Sequence, residues 1–371
     1  MNGRITISVT NDLSNDQRVH KMCTSLAAMG WSVCLVGRLL PNSAPLQRSY
    51  ETKRLKLWFN RGPLFYAEMN LRLFLFLFLS KSHILHSNDL DTLLPNFLVS
   101  KLRSIPLIYD THEYFLGVPE IQNKVLVKWI WKKIESSIFP RLQHVFTVNE
   151  SIANLYESDY GLRPVVVRNI PTRTSDLPEA EDRKKFGWQP TDFIFINQGT
   201  GINVDRGMEE FLEAMKTLPY EIKLIIVGKG DVVPALKKKS EDTNLYCRIQ
   251  FIDPVPYEQM LRFTAMADVG LSLDKDTNIN YRFSLPNKLF DYIRMGRPIL
   301  ASNLIEVAQV VEGWNLGQLI KSHSVEDIST AVLKMKEEGT EKYREGLKKA
   351  SRELSWEKEV ESILAVYEGI I

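Results

Sequence analysis

The chain has 371 residues, 44% hydrophobic and 25% charged, which is longer than one hydrophobic core usually spans and ordinary for a folded protein, so two globular domains are expected. Its three cysteines (Cys23, Cys34, Cys247) form no paired spacing and argue against a disulfide scaffold and a zinc site. The formal net charge of +2 hides an asymmetry: residues 1–170 hold 20 Lys+Arg against 13 Asp+Glu, and the rest hold 27 against 32.

In chain order, the N-terminus runs straight into a strand at 4–10 with no signal-peptide pattern, which makes the cytoplasm the expected compartment. Further strands are predicted at 32–37, 83–87, 106–110, 144–148 and 165–168, alternating with helical patterns. Upstream of an apolar run, Leu71 to Leu79, stand Lys53, Arg54, Lys56, Trp58, Phe59, Arg61, Phe65 and Tyr66. The run is too short to span a bilayer. With its basic-aromatic flank it reads as a helix in the headgroup region of an anionic membrane, and equally as a helix buried in the first domain. The basic first half suits such a surface, a phosphorylated acceptor, or merely solvent. Nucleic acid is not expected, because no RNA or DNA module accompanies the charge.

A polar, proline-bounded stretch, Pro171 to Pro178, separates this series from a second, with strands at 192–198, 222–227, 248–252, 268–273 and 298–301. The predicted fold class is therefore α/β, two Rossmann-like, doubly wound parallel sheets. The expected domains are 1–171 and 172–355, with an amphipathic C-terminal helix at 356–371. Parallel sheets bind ligands at the carboxyl ends of their strands, so two facing sheets would make a cleft with one side per substrate.

The most informative segment is 284–302. Ser284 reads as an N-cap, Pro286 as a first-turn residue, Gly296 as the helix end and 298–301 as a buried strand. Ser284, Lys288 and Asp291 share one helix face, while Leu285, Leu289 and Ile293 line another. A helix N-terminus beside a lysine attracts an anion such as a diphosphate, and a carboxylate one turn on suits ribose hydroxyls. A plain surface helix with a Lys288–Asp291 ion pair fits the same pattern. Earlier, Ile196-Asn-Gln-Gly-Thr-Gly201 and Val204-Asp-Arg-Gly-Met208 place glycines after a strand and Arg206 at a helix start, where backbone and guanidinium approach a phosphate. Asp89-Leu-Asp91 and Asp274-Lys-Asp276 are weighed as metal sites and set aside. The first pair sits at a probable helix start, where carboxylates cap, and the second in a polar loop.

The 284–302 segment resembles the nucleotide-sugar-binding segment of retaining glycosyltransferases of family 4, which have the two-domain GT-B fold with a central cleft. That family brackets its phosphate-binding turn with two Glu separated by seven residues, and a small-Gly-x-Pro element comes next. Asp291 stands at the second Glu, Gly296-Arg297-Pro298 matches the Gly-x-Pro element, and Phe283 stands at the first Glu. The resemblance implies a donor site of Gly199, Thr200, Arg206, Val255, Ser284, Leu285, Asn287, Lys288 and Asp291. Val255 lies in a loop, Phe251 to Tyr257, that flanks the nucleobase. It also implies that His112 and Glu113, after the strand at 106–110, meet the transferred sugar. Relatives often carry a Gly-Gly pair in the first strand-to-helix turn; here Asp16 and Arg18 occupy it and are expected to shape the acceptor side.

The implied activity is hexosyl or N-acetylhexosaminyl transfer from a UDP- or GDP-linked sugar to a glycan or lipid-linked acceptor hydroxyl. The leaving phosphate would take the acceptor's proton, and no metal or other cofactor is called for. Residues Arg206, Lys288, His112 and Glu113 would carry the reaction, at the inner membrane face in surface polysaccharide synthesis. Two other readings are a nucleotide-sugar 2-epimerase of the same fold and a non-catalytic nucleotide-sugar-binding or membrane-docking subunit.

Overall fold

Short apolar runs between turn residues become strands buried on both faces, as parallel sheets covered by helices require. The computed structural model describes residues 2–370 apart from Asn15, Asn123, Thr174, Ser175 and Asn244; two residues of the polar stretch at 171–178 thus lie outside it. The chain divides into two compact units, one of residues 1–169 with 359–371 and one of residues 170–358.

The first unit has strands β1 (Asn2–Asp12), β2 (Trp31–Leu39), β3 (Glu51–Lys56), β4 (Ile84–Asn88), β5 (Leu107–Asp110), β6 (His144–Thr147) and β7 (Val165–Val166). They form one sheet in the order β3-β2-β1-β4-β5-β6-β7, every pair parallel. Its helices are α1 (Gln17–Ala28), α2 (Gly62–Leu79), α3 (Leu90–Arg103), α4 (Pro119–Gln122), α5 (Val125–Ile138) and α6 (Glu150–Tyr160).

The second unit has β8 (Phe193–Gly199), β9 (Ile222–Gly228), β10 (Ile249–Ile252), β11 (Val269–Ser272), β12 (Ile299–Ser302) and β13 (Gly317–Ile320). Their order is β10-β9-β8-β11-β12-β13, again parallel throughout. Every residue of β9, one strand in from the edge, is buried. Strand order reverses between β1 and β4 in one sheet and between β8 and β11 in the other, and such switch points open crevices beyond the strands' carboxyl ends.

Two strands escape the sequence pattern, both at sheet edges. β3 is the segment Glu-Thr-Lys-Arg-Leu-Lys, so the cations expected to flank a membrane helix sit instead on an edge strand, where charge discourages edge-to-edge pairing. β13 is only four residues long and largely half-buried. α2 extends well beyond the apolar run, over 18 residues from Gly62.

The C-terminal helix, Trp356–Glu368, carries the chain back to the first unit. There Glu359 accepts hydrogen bonds from the backbone N of Arg168 at 2.7 Å and from its Nε at 2.9 Å. The Tyr367 hydroxyl lies 2.6 Å from Nδ1 of buried His86.

Candidate functional site

In the second unit the switch point is built from the ends of β8 and β11. β8 delivers Asn197, Gln198 and Gly199, and the chain leaving β11 delivers Asp274, which is 1% exposed. The backbones here pass very close. Gly199 and Gly228 have φ of 136° and 134°, and a Cβ on Gly228 would lie 1.8 Å from the Gly199 carbonyl oxygen. Gly207, at φ 75°, would meet the Leu273 carbonyl at 2.2 Å. Only glycine fits these turns, and they hold Arg206 against Asp274.

One buried carboxylate serves two cations. Arg206 Nη1 donates to Asp274 Oδ2, and its guanidinium lies 4.2 Å from the centre of the Tyr281 ring. Lys288 Nζ donates to Asn197 Oδ1 at 2.9 Å and stands 3.9 Å from Asp274 Oδ1. Burial pushes the Lys288 ammonium below its ordinary pKa against the pull of Asp274. Burial also opposes the Arg206 charge most strongly, but Asp274 and Tyr281 together outweigh it and hold the guanidinium above its ordinary value. Arg206 Nε, Asp274 Oδ1, Ser272 Oγ and Ser284 Oγ are buried without a hydrogen-bond partner. A crevice with a surplus of positive charge and unpartnered polar atoms is matched to an anion.

The helix that carries Lys288 runs from Asn287 to Arg294, with Pro286 at its N-cap and no side-chain cap bond. Ser284 is therefore not the cap. A separate turn of helix, Ile279–Arg282, ends at Phe283, and Ser284 lies between the two with its hydroxyl unpartnered. Lys288 turns to Asn197 and Asp274 rather than to Asp291, so the Lys288–Asp291 surface pair is not formed. Asp291 is 7% exposed and accepts from the Tyr257 hydroxyl at 2.6 Å and Gln198 Nε2 at 3.2 Å. Gln198 is oriented in turn by Thr264, whose hydroxyl donates to it at 2.6 Å. Val255, half-buried against the core, precedes Tyr257 by two residues, so the loop Phe251 to Tyr257 and Asp291 are tied together. Leu285 is half-buried, while Thr200 and Asn287 are exposed. Asp274, Asn197, Gln198 and Tyr257 were not identified from sequence. Asp274 was visible only as half of an Asp-x-Asp pair, and its role comes from its place beyond β11 at the switch point.

The corresponding point of the first unit balances two cations against two carboxylates. His112 follows β5 with Nδ1 3.3 Å from Asp89 Oδ2 and Nε2 3.7 Å from Asp110 Oδ2. Burial opposes its protonation, yet the two carboxylates raise its pKa well above the ordinary histidine value. Asp110 is clamped by Arg18 through Nε at 3.1 Å and Nη2 at 2.8 Å. Burial alone would raise its pKa; Arg18 and then His112 hold it well below the carboxylate range. Asp89 does not cap α3: its carboxylate accepts the His112 backbone N at 3.1 Å, and its φ of 58° is strained for a non-glycine residue. Asp91, pushed up to about 7 first by burial and then by Asp89, accepts from Thr10 at 2.5 Å. Glu113 is exposed, and its carbonyl accepts from the Thr111 hydroxyl at 2.7 Å.

The expected acceptor-side role of Arg18 is replaced by a structural one, since it is 3% exposed and also donates to the Val167 carbonyl at 2.6 Å. Asp16 caps α1 by accepting from Val19 N at 3.0 Å. Among the described residues no three His, Cys, Asp or Glu side chains gather as a metal site.

Two Rossmann-like parallel sheets, one with two cations around a buried carboxylate at its switch point, have the architecture of the GT-B fold. Comparisons agree: the model for glycosyl transferases group 1 matches residues 178–354, and that for glycosyltransferase family 4 matches residues 17–172. The chain belongs to the family 4 glycosyltransferases of GT-B fold. An uncharacterized glycosyltransferase of Methanocaldococcus jannaschii is 24% identical over 298 residues, 76% of this chain and 73% of that one. Sucrose-phosphate synthase from Thermosynechococcus elongatus superposes with a TM-score of 0.77 at 16% identity, covering 99% of this chain and 98% of its own. Anabaena HepE, in complex with UDP and glucose, gives a TM-score of 0.74 at 14% identity and 99% of both chains.

Proposed function

We propose that the protein is a retaining glycosyltransferase moving a hexosyl or N-acetylhexosaminyl group from a nucleoside diphosphate sugar, most simply a UDP-sugar, to the hydroxyl of a glycan or lipid-linked acceptor. The observation that carries this is the pair Arg206 and Lys288 sharing the single carboxylate of Asp274, with unpartnered polar atoms around them. A diphosphate entering there gains two cations and the uncapped N-terminus of helix Asn287–Arg294. The HepE complex with UDP and glucose supports the choice of base.

In this reading Asp291 receives ribose hydroxyls beside Tyr257, whose hydroxyl already donates to it. The acceptor oxygen attacks the anomeric carbon from the face the phosphate leaves. The departing phosphate oxygen takes the acceptor's proton, so configuration is retained and no protein nucleophile is needed. Negative charge grows on the diphosphate as the glycosidic bond breaks, and Arg206 and Lys288 stabilise it most at that moment. The His112 imidazolium, fixed by Asp89 and Asp110, presents a hydrogen-bond donor to the sugar. Transfer proceeds without a metal, on surface or lipid-linked glycans at the cytoplasmic face of a membrane.

Thermal stabilisation by UDP-, GDP- and ADP-sugars with EDTA present tests the donor site, since a ligand that binds only the native state raises Tm. A shift with one nucleotide class that disappears in Arg206→Ala and Lys288→Ala is expected. No shift from any of them would favour the non-catalytic subunit. Epimerised donor without an acceptor would favour the epimerase, and an inverted anomeric centre in the product would refute retention.

A further inference from the structure

α2 combines a buried stripe with an apolar exposed one. Phe65, Met69, Leu73 and Leu77 face the domain, while Leu64, Leu71, Leu75 and Phe78 recur on the opposite face and are all exposed. By length and composition α2 could cross a membrane, with 22% of it buried inside the protein. Its inward stripe, however, is already packed, against α3 and β1 among others. α5 repeats the arrangement. Trp131 turns inward to meet Tyr66 of α2, ring centres 5.3 Å apart, while Leu126, Trp129 and Ile130 lie outside, Trp129 62% exposed. α3 packs against both helices and adds exposed Leu98 and Leu102.

The charges of this layer are one-sided. The three helices hold six cations (Arg72, Lys101, Arg103, Lys128, Lys132 and Lys133) and three acids. None of the acids is exposed: Glu135 is buried, Asp91 is half-buried, and Glu68 is bound to Arg72 at 2.8 Å. Glu68 also accepts the backbone N of Trp58 and of Phe59, each at 2.9 Å. That bond set pins the loop before α2, and Trp58, 81% exposed, stands with Arg72 4.9 Å from its ring centre. Exposed leucines, two tryptophans held outward and interleaved lysines without exposed acids are what an anionic lipid surface recognises.

We infer that the outer face of α2, α3 and α5, with Trp58, is a docking surface for an anionic bilayer, with α2 lying in the headgroup region rather than crossing it. The inference deepens the membrane part of the proposed function and places the contact on α5 as well as α2. The basic strand β3, by contrast, belongs to the sheet.

The test is co-sedimentation of the full-length chain with vesicles of phosphatidylcholine alone or mixed with phosphatidylglycerol. Binding is expected only with the anionic vesicles, weakening as salt rises. Lys132→Ser and Lys133→Ser should each weaken it about fivefold, and Leu71→Asp with Leu75→Asp tenfold or more, all with an unchanged Tm response to the nucleotide sugar. Wild-type protein that ignores anionic vesicles, or Asp variants that bind as well as wild type, would overturn the inference. So would self-association abolished by the Asp variants without vesicle binding, which would make the face a contact between copies. Vesicle binding needs neither donor nor acceptor, so its failure would leave the donor site standing, and the reverse.

Discussion

The two switch points divide their charges differently. In the second unit two cations share one buried carboxylate, Asp274; in the first, one imidazolium, His112, sits between two carboxylates, Asp89 and Asp110. The same strand reversal leaves one cation in excess in the second unit and balances cations against carboxylates in the first. Under the proposed function the excess cation of the second unit meets the diphosphate. The difference also separates residues that stabilise the crevice from residues that face a ligand. Arg18 and Asp110 saturate each other inside the protein, whereas Arg206, Lys288 and His112 keep polar capacity to spare.

The largest effect should come from breaking the first unit's internal clamp. Arg18→Met leaves Asp110 buried without its bidentate partner and should lower unfolding stability by about 3–5 kcal/mol in urea titration. Next, Lys288→Ala or Arg206→Ala should raise the transition-state barrier by about 3 kcal/mol, lowering kcat about 10²-fold or more, with a smaller change in Tm than Arg18→Met. A loss of stability equal to that of Arg18→Met would place these cations among the structural residues and dissolve the distinction.

The pH response sharpens the contrast. Asp91 is raised from 3.8 to about 7 in the folded protein, so folding favours its protonated form. Its contribution is full at low pH and is lost as pH rises from about 4 through 7. His112, also raised, loses its contribution as pH climbs from its unfolded value through its higher folded one. Unfolding titrations at pH 5 and pH 8 should therefore show a decline from these two groups. Glu135, raised to about 7 by burial, adds to the decline, so Asp91→Asn and His112→Gln should each remove only their own part of it. The smallest effect belongs to Tyr257→Phe, which removes one hydrogen bond to Asp291 and should cost about 1 kcal/mol, seen as a several-fold rise in donor KM with kcat little changed.

Much of this was legible in the chain because parallel sheets write buried strands as short apolar runs, and glycine turns after strands mark close backbone approach. Ser284, Lys288 and Asp291 fell on one short segment, and helical spacing related them. Asp274 and Asn197 were not legible, since they meet Lys288 only through the register of β8 and β11, strands about 75 residues apart in sequence. Ser284 looked like a cap because cap preference is local, while the structure spends a separate turn of helix before Pro286. β3 was hidden because an edge strand needs no apolar alternation, and its lysines and arginine read as a membrane flank.

The return of the C-terminal helix has a consequence for biosynthesis. Nδ1 of buried His86 receives its hydroxyl partner from Tyr367, 281 positions later in the chain. The first unit therefore cannot complete its interior while it is being translated. At about 5–20 residues per second, tens of seconds pass between synthesis of β4 and arrival of the closing helix. During that interval the nascent first unit waits unfinished while the whole of the second is made, and a premature stop before Tyr367 would leave the half made first as the one that fails.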